Sequence, residues 1–147
     1  MAPARLTPHG RSNFRLEIDG LQLAGFAEVT PPGGAASIVY YREGSDRAVA
    51  RPMRGNLSFD TVTLRRGFDG NAALYEWWQQ VRNGDPGARR TVSITLLDQA
   101  GQDVARWQLG GAFPTSHRFE SLDAMSSEPV IEIVELVYEN YELHVTN

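Results

Sequence analysis

From Asn13 to Ile18 apolar and polar residues alternate, with Phe14, Leu16 and Ile18 in one phase, and the alternation stops at Asp19-Gly20 before an apolar-rich stretch from Leu21 to Val29. A two-residue Asp-Gly between such runs is a strong hairpin signal, because both residues tolerate the positive φ of a tight turn. The pattern predicts strand, turn, strand. Thr30 to Ser37, with Pro31, Pro32, Gly33 and Gly34, breaks the alternation and reads as a loop. A short aromatic and β-branched strand over Ile38 to Arg42 follows. Glu43 to Arg54 is polar, rich in arginine and closed by Pro52, and it reads as an exposed loop. Loops of that length in compact domains usually have a task, so it is a candidate contact element. Gly55 to Arg66 reads as one long strand in which Leu57 and Phe59 share a phase that Val62 and Leu64 leave, the mark of a bulge or bend.

One segment has helical periodicity. Within Asn71 to Val81, residues Leu74, Trp77, Trp78 and Val81 recur at the spacing of a single helical stripe. Asp69 or Asn71 can cap its start, and Asn83-Gly84 with Pro86 stops it. The stripe predicts a lid that packs on a sheet through those four residues. A second hairpin is expected from Thr91 to Leu97 and Val104 to Leu109, then a strand from Ala112 to Phe119 interrupted by Pro114. Pro129 to Glu142 reads as the last and longest strand, apolar on both faces, which implies cover on both sides and packing of part of it on a neighbouring subunit. Seven or eight strands and one helix predict a mainly β fold, an antiparallel barrel or sandwich with a helix as lid.

Composition narrows the function. At 147 residues the chain has the length of a single domain over 1–147, with residues 1–12 as a flexible tail. With no cysteine there is no disulfide, thiolate site or thiol nucleophile, and with all fourteen basic residues arginine there is no Schiff-base or P-loop lysine. The net charge of −4 argues against a nucleic-acid binder. Residues 121–147 hold six acids and no lysine or arginine, and an acidic segment of this kind suits a basic surface on a neighbouring subunit. The first residues lack the apolar core of a signal peptide, and no apolar run is long enough to span a membrane, so assembly in the cytosol without membrane insertion is expected.

Catalytic chemistry finds little support. His9, His117 and His144 have no pairing that suggests a metal site, and none of the motifs for nucleophilic elbows, phosphate loops or zinc hydrolases is present. Glu132, Glu135, Glu139 and Glu142 fall in the last strand, where Glu132 and Glu135 should point to opposite faces and read as solvent or interface charges. Arg65-Arg66 and Arg89-Arg90 flank the helix as candidates for ion pairs. No cofactor, metal or catalytic residue is expected.

The ordered segments Asn13-Phe-Arg-Leu-Glu-Ile-Asp-Gly20, Gly25-Phe-Ala-Glu-Val29, Tyr41-Arg-Glu-Gly44, Val62-Thr-Leu-Arg-Arg-Gly67 and Trp77-Trp78 resemble the tail-tube protein family of contractile phages. In pattern they are most similar to inner-tube proteins of extracellular contractile injection systems. The second half agrees through Ile94-Thr-Leu-Leu-Asp98, Val104-Ala-Arg-Trp107, Gly111-Ala-Phe-Pro114, Leu122-Asp-Ala124 and Val130-Ile-Glu-Ile-Val-Glu-Leu136, so the resemblance covers about residues 12 to 142. It implies a β-barrel with one helix, similar to type VI secretion tube proteins, in hexameric rings stacked into a hollow tube. The implied partners are other copies of the chain, a sheath protein, baseplate or spike proteins, and cargo in the lumen. The expected ring-stacking contacts are Thr30, Pro31, Pro32, Gly33, Gly34, Glu43, Arg47, Arg51 and Arg54. Thr30 to Ser37 departs from the family pattern, which leaves a main-tube subunit and a baseplate-proximal ring both open. The competing reading is a small-ligand β-barrel in which Trp77, Trp78 and Trp107 line a cavity.

Overall fold

A computed structural model describes residue 10, residues 13–42, residue 44 and residues 49–146. The expected tail over residues 1–12 lies outside them except for Gly10, and so do Glu43 and Arg47. Strand β1 (Phe14–Ile18) turns into β2 (Leu21–Leu23) through Asp19 and Gly20, whose φ values of 52° and 80° are those of the predicted tight turn. The stretch read as one strand from Leu21 to Val29 is two, because Gly25 at φ 84° turns the chain out of β2 and into β3 (Phe26–Val29). Then follow β4 (Gly34–Tyr41), β5 (Arg51–Phe59), β6 (Val62–Gly67), α1 (Ala73–Arg82), β7 (Arg90–Leu97), β8 (Asp103–Phe119), β9 (Ile131–Val137) and β10 (Asn140–Val145). Every pairing among them is antiparallel.

Strand β8 organises the body. Its residues as far as Ala112 pair with β7 and β10, and from Phe113 onward it pairs with β9. The two strands expected here are therefore one strand of 17 residues, bent at Gly110-Gly111. Gly111 has φ 62°, and a Cβ on either glycine would run into the side chain of Asn140 or Glu139. The bend divides the body into a first sheet of β2, β1, β7, the start of β8 and β10, and a second of the end of β8, β9, β6 and β3. The two sheets share one core, in which Leu16, Ile18, Val92, Ile94 and Leu109 of the first meet Val62, Leu64, Val134 and Leu136 of the second. Among the described residues β2 and β3 are not paired to each other, so the barrel expected from the sequence is not closed.

The helix closes one end of this core. Leu74 and Trp77 are buried, while Trp78 and Val81 are half-buried. The N-cap position falls to Ala72, which makes no side-chain cap, and not to Asp69 or Asn71; Asn71 accepts from the N–H of Ala73, the first helical residue, and Asp69 accepts from that of Asn71 in the turn before it. The Trp77 indole donates to the carbonyl of Ala88, satisfying the one polar atom that the burial would orphan.

Two sequence expectations change together. Gly34 to Ser37 and Arg51 to Arg54, read as parts of loops, are strand: β4 and β5 form a two-stranded ribbon paired from Gly34 with Phe59 to Tyr41 with Arg51. Each strand of the ribbon has one neighbour, so Pro52, which cannot donate to a second, is tolerated opposite Tyr40. The phase slip between Phe59 and Val62 marks the end of this ribbon and the start of β6 in the body. The last stretch is likewise two strands rather than one, and β9 is covered within the chain: Ile133 and Val134, on opposite faces, are both buried.

Candidate assembly surfaces

The β4–β5 ribbon is an arm. It pairs with no body strand, and Ile38, Val39, Tyr40, Tyr41, Met53 and Leu57 are each more than half exposed, with Tyr40 at 67%. The register explains why no orientation could hide them: Val39, Tyr41, Met53 and Arg51 share one face, and Ile38, Tyr40, Pro52 and Arg54 share the other. Both faces are apolar with an arginine at each. An isolated two-stranded ribbon is marginal in water, and contiguous exposed apolar patches mark interaction sites.

The expected contact residues at the start of the arm sit at its base. Thr30 donates its N–H to the Thr63 carbonyl, Pro32 is buried, and the carbonyl of Gly33 accepts from the N–H of Asp60. Tyr138 clamps both legs there, its hydroxyl 2.6 Å from the carbonyl of Asp60 and 3.3 Å from that of Gly33. Burial, and then the nearby Asp60 and Tyr141, hold the Tyr138 pKa above its ordinary value of 10.0. Its ring lies 5.7 Å from that of Phe59 and 6.1 Å from that of Tyr141, an aromatic cluster joining arm to body. Gly34 belongs to the same base, since a Cβ there would meet the Phe59 and Tyr141 rings. Arg51 and Arg54 lie further out on β5.

The buried charges lie elsewhere. Arg66 and Glu132 are both buried and paired at 2.7 Å; Arg66 also donates to the Asn71 carbonyl, and Glu132 meets His117 Nε2 at 2.6 Å. Glu132 is thus not the solvent or interface charge expected of it. The network ties β6, β8 and β9 to the chain entering α1, under an apolar cleft of about 320 Å³ lined by Phe68, Ala72, Tyr75 and Phe119. A sequence signal for it exists: Arg66 keeps the phase of Val62 and Leu64, and Glu132 that of Val134 and Leu136, so both charges occupy core positions. No group of three or more His, Cys, Asp or Glu among the described residues could hold a metal ion.

The remaining arginines near the helix are engaged within the chain. Arg65 pairs with Glu120, Arg89 with Glu139 while lying over the Phe113 ring, and Arg90 with Gln80 while lying over the Trp77 ring. They form no open basic stripe for phosphates. The tryptophans do not gather either: Trp77 lines a cavity of about 50 Å³ with Ile18 and Leu74, whereas Trp107 lines a separate groove of about 870 Å³. No described helix is long and apolar enough to cross a membrane.

An open two-sheet body with one buried ion pair, whose described residues leave an apolar arm exposed, has the form of a subunit of an assembly. The chain belongs to the family of the T4-like virus tail tube protein gp19, which matches residues 11–142. No curated protein matches it. Among solved structures, a chain of the anti-feeding prophage cap is 24% identical over 99% of this chain and 97% of that one, with a TM-score of 0.86. A chain of the sheath-tube complex of an extracellular contractile injection system in its extended state is 23% identical over 95% and 93%, with a TM-score of 0.83. Hcp1 from Flavobacterium johnsoniae is 13% identical over 90% and 95%, with a TM-score of 0.59. These likenesses establish the fold.

Proposed function

We propose that the protein is the structural subunit of the inner tube of a phage-tail-like contractile injection system, forming hexameric rings that stack around a lumen. The family match over residues 11–142 supports a tail tube, and the single observation that carries self-assembly is the β4–β5 arm, apolar on both faces and left exposed by the described residues. The arm and its base, with Thr30, Pro31, Pro32, Gly33, Gly34, Glu43, Arg47, Arg51 and Arg54, supply contacts between rings. Free edges of the two sheets join neighbouring subunits within a ring, and ring closure removes strand edges that would otherwise aggregate. The work is mechanical, with sheath outside, baseplate or spike at the end and cargo within, and requires no catalytic residue. Assembly takes place in the cytosol before the particle acts or is released.

Negative-stain electron microscopy of the purified protein, with mass photometry on the same sample, tests this. Rings or tubes with hexameric layers are the expected result. A monomer at every concentration, unchanged by the baseplate of the same system, overturns the proposal.

A further inference from the structure

The apolar cleft of about 320 Å³ over the buried ion pair is walled by four rings in a row. Phe68 and Phe119 meet edge to face with centroids 5.2 Å apart, Phe119 meets His117 in the same way at 5.3 Å, and Tyr75 lies 5.5 Å from His117. The elements explain the gap among them. Phe68 follows β6, His117 and Phe119 share one face of β8, and Tyr75 follows Ala72 by three residues, so both sit on one side of the helix start. The methyl of Ala72 leaves open the space that a larger side chain there would fill. Phe68, Tyr75 and Phe119 all remain exposed.

The floor of the cleft carries a polar atom without a partner. The His117 side chain is only 6% exposed, and its Nε2 lies 2.6 Å from Glu132 Oε2. A carboxylate only accepts, so Nε2 carries the proton and donates, and in the neutral ring Nδ1 is left as an acceptor. Arg66 already offsets the Glu132 charge, so the network is neutral with a neutral ring. No described residue donates to Nδ1. Nor is Nδ1 sealed off: among the described residues Ser116 Oγ is the one buried side-chain polar atom without a partner, so Nδ1 keeps access to the cleft that His117 lines.

We infer that this cleft is a binding site for a small aromatic molecule whose ring carries an N–H or O–H donor, of the indole or phenol class. Three features select that class. A dry cavity of about 150 Å³ already takes benzene. The cleft of about 320 Å³ therefore has room for one ring system with a short substituent. Its walls offer ring faces and edges, against which a flat aromatic ligand packs better than an aliphatic one. Its one open polar position accepts a hydrogen bond. A ring N–H or O–H satisfies it, whereas a carboxylate or carbonyl would set lone pair against lone pair beside the Glu132 charge. The site needs one folded chain only, so it stands apart from the tube reading.

Isothermal titration of the purified full-length protein with indole, 1-methylindole and N-acetyltryptophanamide tests the site, together with NMR of the ¹⁵N-labelled His117 ring. Indole is expected to bind once per chain and to shift the Nδ1 resonance. The same ring without its donor, 1-methylindole, is expected to bind at least about threefold more weakly. Ala72→Leu fills the cleft from an exposed position and is expected to weaken indole at least about tenfold with an unchanged melting transition. Tyr75→Ala removes one wall and is expected to weaken it as well. Equal affinity for indole and 1-methylindole overturns the inference, because the acceptor then selects nothing. Absence of binding up to the solubility of indole does so too, as does binding that leaves the His117 resonance in place or survives both substitutions. Tighter binding of N-acetyltryptophanamide than of indole also overturns it, because the cleft is then a socket for a protein side chain.

Discussion

Strands β9 and β4 have the same kind of sequence and opposite fates. Ile131–Val137 and the end of Gly34–Tyr41 both carry apolar residues on both faces, yet Val134 is fully buried and Ile133 nearly so, while Ile38 is 61% exposed and Val39 55%. The difference is in their neighbours. β9 runs between β6 and β8, with the core on one face and, on the other, a buried Ile133 paired in register with Arg65 and Arg118. Among the described residues β4 has only β5 beside it, and its outer part is exposed on both faces. A two-faced apolar strand therefore states a demand for cover without stating who meets it. In β9 the chain meets it; in β4 the described residues leave it unmet.

Charge insertion at matched positions is the strongest way to break this comparison. Val134→Asp puts an unpaired carboxylate in the core and should cost more than about 4 kcal/mol, leaving the protein unfolded in a far-ultraviolet melt. A folded Val134→Asp protein would mean that β9 is not the internal strand described above.

Removing half of the buried ion pair comes next. Glu132→Ala leaves Arg66 buried and uncompensated, and a destabilisation of about 3 kcal/mol is expected in urea unfolding. Replacing the pair together, as Arg66→Met with Glu132→Leu, should recover most of that loss, because the cost arises from the stranded charge. If single and double variants lose the same stability, the network contributes through shape instead.

Tyr138 sits at the junction of the two regions, and its substitution sharpens the boundary. Tyr138→Phe forfeits the hydrogen bonds to Asp60 and Gly33 at an expected cost of about 1 kcal/mol at neutral pH. Because the fold raises the Tyr138 pKa above 10.0, its contribution is fully present below that pH and fades as pH rises through the folded-state value. Wild-type stability should fall more steeply above pH 10.0 than that of Tyr138→Phe, and parallel pH profiles would remove the clamp from the account.

The smallest effect on stability is expected on the arm. Val39→Asp should change the unfolding free energy by less than about 0.5 kcal/mol, since the side chain already faces water, yet assembly followed by light scattering should be lost. A variant that still assembles would make the arm an ornament of the monomer.

Much of the body was legible along the chain. The Asp19-Gly20 hairpin and the helix with Leu74 and Trp77 on its buried side follow from local periodicity and turn chemistry, which act over a few residues, whereas the phase slip after Phe59, read as a bulge or bend within one strand, separates two strands of different sheets. The arm was half legible: its apolar run was visible, but Gly34 to Ser37 and Arg51 to Arg54 have weak strand propensity and became strand only by pairing with each other. The bent β8 was misread as two strands because Gly110-Gly111 signals a turn unless pairing continues through it.

The amino-acid sequence by itself determined the class: mainly β, one amphipathic helix, no thiol or lysine chemistry, and an ordered set of segments that resembles tail-tube proteins. Only the tertiary structure decided which apolar strands are covered, that Arg66, Glu132 and His117 converge, and that the body is open along one side. Periodicity is a property of neighbours in sequence, whereas cover and convergence depend on register between strands distant along the chain, and no single segment carries that information.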